Sequence, residues 1–296
     1  MHDFTRRGAV LSSLALGACA QQTRALADPA APNDPRFAAI ERRIGGRVGV
    51  AALDTATGAR LTHRADQYFA MCSTFKWLLA TQMVHIDMHA PGHLARSVSF
   101  SADDLLDYAP VAREHLARGE MTIEQMCAGA VVLSDNTCAN LLLGQIGGPP
   151  GLTHYLRQEG DRDTQLDRFE PELNEVAADD DRDSTTPSGM VWLLNHFLVQ
   201  DESLNAAAQA KLIGWMVESP TGRERLRAGL PSTWRVGDKT GTWNGENNAS
   251  NDVAIAWPPG RAPILIASYL HRSTAEPAAR NAAHAEVARI IVEEWG

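Results

Sequence analysis

Ser73 and Lys76 stand three residues apart, and the apolar run Trp77-Leu78-Leu79-Ala80 that follows predicts a helix beginning near them. That spacing puts hydroxyl and amine on one face. A serine at a helix N-terminus also has free backbone N–H groups and the positive end of the dipole aimed at any oxyanion formed there. Lys76 can accept the hydroxyl proton only where desolvation or nearby positive charge lowers its pKa. A Ser-x-x-Lys is expected roughly once by chance in a chain of this length, so the pair alone reads by default as an ordinary surface helix.

Three further motifs follow in order. Ser134-Asp135-Asn136 lies between the apolar Ala130-Val131-Val132-Leu133 and a second expected helix, Thr137 to Gln145. A hydroxyl there can pass a proton to a leaving amine, and the Asn136 amide can bind both Lys76 and a substrate carbonyl. The competing reading is a plain helix cap supplied by Asp135 or Asn136. Arg168-Phe169-Glu170-Pro171-Glu172-Leu173-Asn174 opens an acidic stretch with no helix or strand period, which reads as a compact Ω-type loop. Glu170 can activate a water that the Asn174 amide holds, while Arg168 and Asp183 can pin the loop shut by opposite charge. Lys239-Thr240-Gly241 follows the strand-like Trp234-Arg235-Val236-Gly237, so an edge strand would present Lys239. The Lys239 ammonium and Thr240 hydroxyl suit a substrate carboxylate. Gly241 leaves room for a ligand against backbone, and the Thr242 N–H can join that of Ser73 as a second oxyanion donor.

The elements that must position these residues come from both ends of the chain. Arg47 to Leu53 alternates as a strand, Asp54 to Gly58 reads as a turn, and a second strand is expected from Arg60 to Arg64. Asp252 to Trp257, a Pro258-Pro259-Gly260 turn and Ala262 to Leu270 repeat the pattern, and an amphipathic helix runs from about Pro277 to Trp295. The middle, from about Tyr68 to Val217, reads as helical, with no convincing strand. The fold class is therefore α+β: an antiparallel five-stranded sheet built from both chain ends and flanked by helices, plus an all-helical insert. The expected division is 28–67 with 218–296 for the α/β domain and 68–217 for the all-α domain, with the site in the cleft between them.

With all four motifs in place, the chain from about Phe37 to Gly296 resembles a class A serine β-lactamase in motif order, spacing and flanks. The resemblance implies that Ser73 attacks the β-lactam carbonyl of penicillins and cephalosporins, that Lys76 and Glu170 manage its proton, and that Ser134 protonates the ring nitrogen. Glu170 with Asn174 then delivers water to the acyl-enzyme. Asn136, Lys239, Thr240 and Thr242 become substrate-binding residues, and Tyr108, in Asp107-Tyr108-Ala109-Pro110, matches a cleft-wall tyrosine. Many relatives place an arginine near Ser250; here Arg225 matches the alternative position for that guanidinium. The segment from Thr242 to Ser250 is about two residues longer than usual. Cys72 resembles a bridged cysteine of carbapenem-hydrolysing relatives, but Trp243 stands where the partner would be. A penicillin-binding D,D-peptidase and a non-hydrolysing β-lactam receptor share much of this pattern; Glu170 with Asn174 favours hydrolysis.

Composition bounds the rest. The chain of 296 residues carries a net charge of -9, with no run of Lys or Arg longer than two, which excludes a nucleic-acid footprint. Arg6-Arg7 ahead of the small apolar stretch Gly8 to Ala20 resembles a twin-arginine export signal, with a cleavage site at Ala25-Leu26-Ala27 and a periplasmic destination. The alternative is a lipoprotein box, Leu16-Gly17-Ala18-Cys19, with a lipid anchor on Cys19. A monomer without a stable protein partner and without a cofactor is expected. Cys127 and Cys138, eleven residues apart on helical chain, would lie about 16 Å from each other and so remain free thiols. His85, His89 and His93 recur every four residues, but no His-Glu-x-x-His pattern accompanies them and Pro91-Gly92 interrupts the helix, so solvated histidines and no metal are expected.

Overall fold

The computed structural model describes residues 33–177 and 180–296. The expected export signal and Cys19 lie outside the described residues. Asp34 caps α1, Pro35–Ile44, by accepting from the Arg36 N–H at 2.8 Å. The hairpin β1, Arg47–Asp54, and β2, Arg60–His63, leads through β3, Phe69–Ala70, and a 3-10 turn, Cys72–Thr74, into α2, Phe75–His89. There follow β4 (Ser97–Ser99), α3 (Pro110–His115), β5 (Glu120–Thr122), α4 (Ile123–Val132), α5 (Asn136–Gly144) and α6 (Pro149–Gln158). After the acidic loop come β6 (Ser184–Thr185), α7 (Pro187–Leu198), α8 (Ala206–Glu218) and α9 (Leu226–Gly229). The chain closes with β7 (Arg235–Thr242), β8 (Ser250–Trp257), β9 (Ile264–His271) and α10 (Pro277–Trp295).

The main sheet runs β2-β1-β9-β8-β7, antiparallel throughout. Alternate residues of its strands enter different cores, as a period of two requires. Val48, Val50 and Ala52 pack with Phe37 and Ile40 of α1 and Val287 and Ile291 of α10. Ala51 and Leu53 face the other way, with Val253, Ile255 and Tyr269, onto a core containing Trp77 and Leu78 of α2. The inner strands are thus apolar on both faces.

Two expectations need correction. The middle of the chain also holds strands: β3 pairs with β6, and β4 with β5. Runs of two or three residues are too short to carry a strand period. Cys127 and Cys138 are free, as expected, and buried, but not because a straight helix separates them. The chain reverses at Ser134-Asp135, so α4 and α5 pack side by side. Burial pushes both the Cys127 and Cys138 thiols up.

Buried histidines give the fold a pH dependence. His284 lies between the hydroxyls of Ser250 and Ser268, at 3.1 and 2.8 Å, and His271 Nε2 donates to Ala70 O at 3.2 Å. Burial pushes both imidazoles down from 6.5 to about 3. Between those values the unfolded chain binds protons that the native state excludes, so the stability is complete above pH 6.5 and is lost as pH falls. Urea unfolding is expected to give a free energy about 4 kcal/mol lower at pH 5 than at pH 7, at about 1.4 kcal/mol per unit for each ring. His284→Gln should remove about half of that difference; equal stability at the two pH values would refute it.

Candidate active site

The nucleophile turn is held from three sides. Asn251 of β8 donates through Nδ2 to Ala70 O at 2.8 Å and Met71 O at 3.1 Å, and Thr74 Oγ1 also donates to Met71 O at 2.9 Å. From the loop side, Met71 N donates to Asp183 O at 2.9 Å. Cys72 adopts a left-handed φ of 45°, which a non-glycine residue holds only where its surroundings enforce it. This strained, buried residue aims Ser73 outward in the 3-10 turn just ahead of α2. Gly241 of β7 abuts the same turn: a Cβ there would meet Met71 O at 2.6 Å and Ser73 N at 3.2 Å. The close approach expected of Gly241 is therefore first an approach to the chain itself.

Ser73 and Lys76 meet through a third residue. Ser73 Oγ donates to Glu170 Oε1 at 3.3 Å, and Lys76 Nζ lies 2.8 Å from the same oxygen. Lys76 also donates to Ser134 O at 2.8 Å and to Asn136 Oδ1. The Lys76 and Glu170 side chains are almost wholly shielded from solvent, at 0% and 1% exposed. The three acceptors of Lys76 match in number the three donors of an ammonium group. Asn174 Nδ2 donates to Glu170 Oε2 at 2.6 Å, and its Oδ1 is buried without a partner among the described residues.

Ser134, with a φ of 60°, points its hydroxyl at Lys239, whose Nζ donates to it at 3.0 Å. Burial, and then the charge of Lys76, pushes the Lys239 ammonium down to about 7. The capping role of Asp135 is real as well: Oδ1 accepts from Cys138 N at the start of α5, and Oδ2 from Val111 and Ala112 N at the start of α3. Asn136 N donates to Tyr108 O at 3.0 Å, fixing the backbone of the exposed Tyr108.

β7 is an edge strand, as expected. Trp243 N donates to Ala249 O, so in the alternating antiparallel pattern its neighbour Thr242, opposite Ser250, turns its N–H away from β8. Arg225 lies buried behind this strand. It donates to Gly241 O and Asn251 O at 3.0 and 2.7 Å, to Asn281 Oδ1 at 3.0 Å and to Thr242 Oγ1 at 2.6 Å. Burial lowers its pKa. Thr240 Oγ1 donates to Thr221 Oγ1 at 2.8 Å. Ser250 turns into the core toward His284, so it offers nothing at the strand's open side.

The acidic loop is pinned as its charges suggested, with Arg168 Nε 2.6 Å from Asp183 Oδ2. A second clamp was not anticipated. Asn140 of α5 donates through Nδ2 to Glu170 O at 2.8 Å and accepts from Glu170 N at 3.0 Å, fixing the peptide that carries the carboxylate. The available signal was its position one turn after Asn136, on the same helix face. No group of three His, Cys, Asp or Glu side chains suited to a metal stands among the described residues. His85 is not merely solvated, since its Nδ1 lies 2.9 Å from the Tyr155 hydroxyl.

A five-stranded antiparallel sheet with helices on both faces, carrying a shielded Ser-Lys-Glu cluster at its edge strand, is the fold of class A β-lactamases. The model of the β-lactamase enzyme family matches residues 34–295. The chain is 43% identical to β-lactamase L2 of Stenotrophomonas maltophilia over 289 residues, 95% of this chain and 94% of that one. It is 38% identical to β-lactamase CTX-M-8 of Citrobacter amalonaticus, covering 88% of each. The solved structure of an ancestral class A β-lactamase superposes with a TM-score of 0.85 at 49% identity, over 88% of this chain and 99% of that one. A β-lactamase from Xanthomonas campestris gives the same TM-score at 41% identity, over 88% and 97%. The chain belongs to the β-lactamase enzyme family, as a class A serine enzyme that hydrolyses β-lactams and so confers antibiotic resistance.

Proposed function

We propose that Ser73 is the acylated nucleophile and Glu170 the base that serves both halves of the reaction. The observation that carries this reading is the line Ser73 Oγ to Glu170 Oε1 and Glu170 Oε2 to Asn174, with Lys76 holding the carboxylate by a saturated ammonium. As Ser73 Oγ bonds to the lactam carbonyl carbon, its proton passes to Glu170. The N–H groups of Ser73 and Thr242 receive the oxyanion. When the ring C–N bond breaks, Ser134 gives its proton to the nitrogen, and Lys239, held near 7 in the free enzyme, replenishes it. Asn136 binds the substrate amide. Lys239 and Thr240 face the substrate carboxylate, and Arg225 acts on it through Thr242, since four of its five donors are spent within the protein, two of them on backbone. Tyr108 supplies an exposed ring at the rim. Water held between Glu170 and Asn174 then frees the acyl group.

Two parts of the chain share this work. Ser73, Lys76, Ser134 and Glu170 come from residues 68–217, and Arg225, Lys239, Thr240 and Thr242 from 218–296, which supports a site between a helical and a sheet domain. The Arg6-Arg7 signal supports periplasmic export of a monomer, with lipid on Cys19 as the alternative. No described helix is long and apolar enough to cross a membrane.

The test is to mix purified protein with a chromogenic cephalosporin and digest quenched samples for mass spectrometry. Ring opening far beyond one equivalent, with a transient adduct on the Ser73 peptide, is the expected result. A burst of one equivalent that then stops would replace this reading with a D,D-peptidase or receptor.

A further inference from the structure

The connection between β7 and β8, residues 243–249, reaches across to the acidic loop. Asn247, 4% exposed, donates through Nδ2 to the backbone oxygen of Asn174 at 3.1 Å. The connection is itself braced. Arg280 of α10 donates to Asn248 O at 3.1 Å, to Asn248 Oδ1 at 3.0 Å and to Asn244 Oδ1 at 3.0 Å. Asn248 Nδ2 donates to Ser273 O at 2.7 Å, and Arg272 N to Asn247 O at 2.6 Å. A donor fixed to the sheet thus grips the one peptide whose side chain holds Glu170 Oε2.

We infer that Asn247 is a positioning residue for deacylation, setting the height of Asn174 and Glu170 over the acyl carbonyl. The inference rests on the role proposed for those two residues. In that step water oxygen bonds to the acyl carbon while its proton goes to Glu170. The bond from carbon to Ser73 Oγ then breaks, and the proton returns to Oγ. The step needs the water placed to within a fraction of an ångström. Acylation draws on Glu170 Oε1, which Ser73 and Lys76 hold directly, whereas deacylation also needs the Asn174 amide on Oε2, the end of the carboxylate tied to Asn247. The connection therefore acts chiefly on the second half of the cycle.

The experiment compares Asn247→Ala and the isosteric Asn247→Asp, which lacks the amide donor, with the parent. Deacylation is read by rapid quench and mass spectrometry, alongside steady-state constants. The expected result is a deacylation rate about tenfold lower, in line with one lost hydrogen bond to a backbone carbonyl. In that case kcat and KM fall together, kcat/KM changes much less than kcat, and acyl-enzyme accumulates. Parental deacylation in both variants, or a fall in kcat/KM equal to that in kcat, would overturn the inference. Glu170→Gln serves as the control. If it traps acyl-enzyme while both Asn247 variants behave as the parent, only the role of Asn247 fails; if it turns over freely, the reading of Glu170 fails and takes this one with it.

Discussion

Glu170→Gln is expected to leave Ser73 acylated, with turnover about 10²- to 10⁴-fold below the parent, the usual worth of a positioned general base. The amide keeps the volume and the contact with Asn174 but cannot take a proton from water. Ser73, its turn and the proposed oxyanion donors keep their places, and Lys76 stays beside the reacting group, so acylation is slowed rather than abolished. Mass spectrometry of the quenched variant should find nearly all enzyme carrying the substrate mass. Sustained turnover near the parental rate would show that some other group activates water.

Gly241→Ala is expected to damage both halves of the cycle. Its Cβ would lie 2.6 Å from Met71 O, 3.1 Å from Cys72 Cβ and 3.2 Å from Ser73 N, the first a distance that real methyl groups do not tolerate. Neither side can yield freely. Asn251 ties Met71 O to β8, and β7 is paired with β8 along its length. Relief of the clash separates the Ser73 N–H from the Thr242 N–H, the two proposed oxyanion donors. A displacement near 1 Å costs about 10²-fold in rate, so kcat/KM should fall by about that factor, and deacylation of preformed acyl-enzyme, whose oxyanion meets the same two donors, should fall with it. Overpacking of this kind also costs about 1–3 kcal/mol of stability, measurable by urea unfolding. A parental kcat/KM would mean that the strand edge and the nucleophile turn move independently.

What was readable in advance follows the range over which each feature is encoded. The strands around Val50 and Ile266 and the helix Pro277–Trp295 announce themselves through local periodicity, and their bounds fall within a few residues of expectation. The pin between Arg168 and Asp183 was legible because two opposite charges bracket a patternless loop. The grip of Asn140 on the Glu170 peptide and of Asn247 on Asn174 was not. Both depend on where distant elements come to lie, and an asparagine carries no periodic signal. Arg225 shows the same limit. Its chemistry was evident, but its burial behind β7 and the spending of its donors on carbonyls follow from tertiary packing. Asp135 supplies the helix cap that the competing reading expected, and that cap of α5 also orients the turn bearing Ser134 and Asn136.

The order of the sheet has a consequence for how the enzyme is made. β9, the last strand in sequence, lies between β1 and β8 and pairs with β1 from Arg47 opposite His271 to Asp54 opposite Ile264. More than two hundred residues separate β1 from β9, so the hairpin of β1 and β2 can join the rest of the sheet only once the last strand has been made. Such long-range closure is slow and leaves apolar strands open in the meantime. Loss of the final strand would remove the middle of the sheet rather than its margin, so shortened chains keep the nucleophile but lose the frame that aims it.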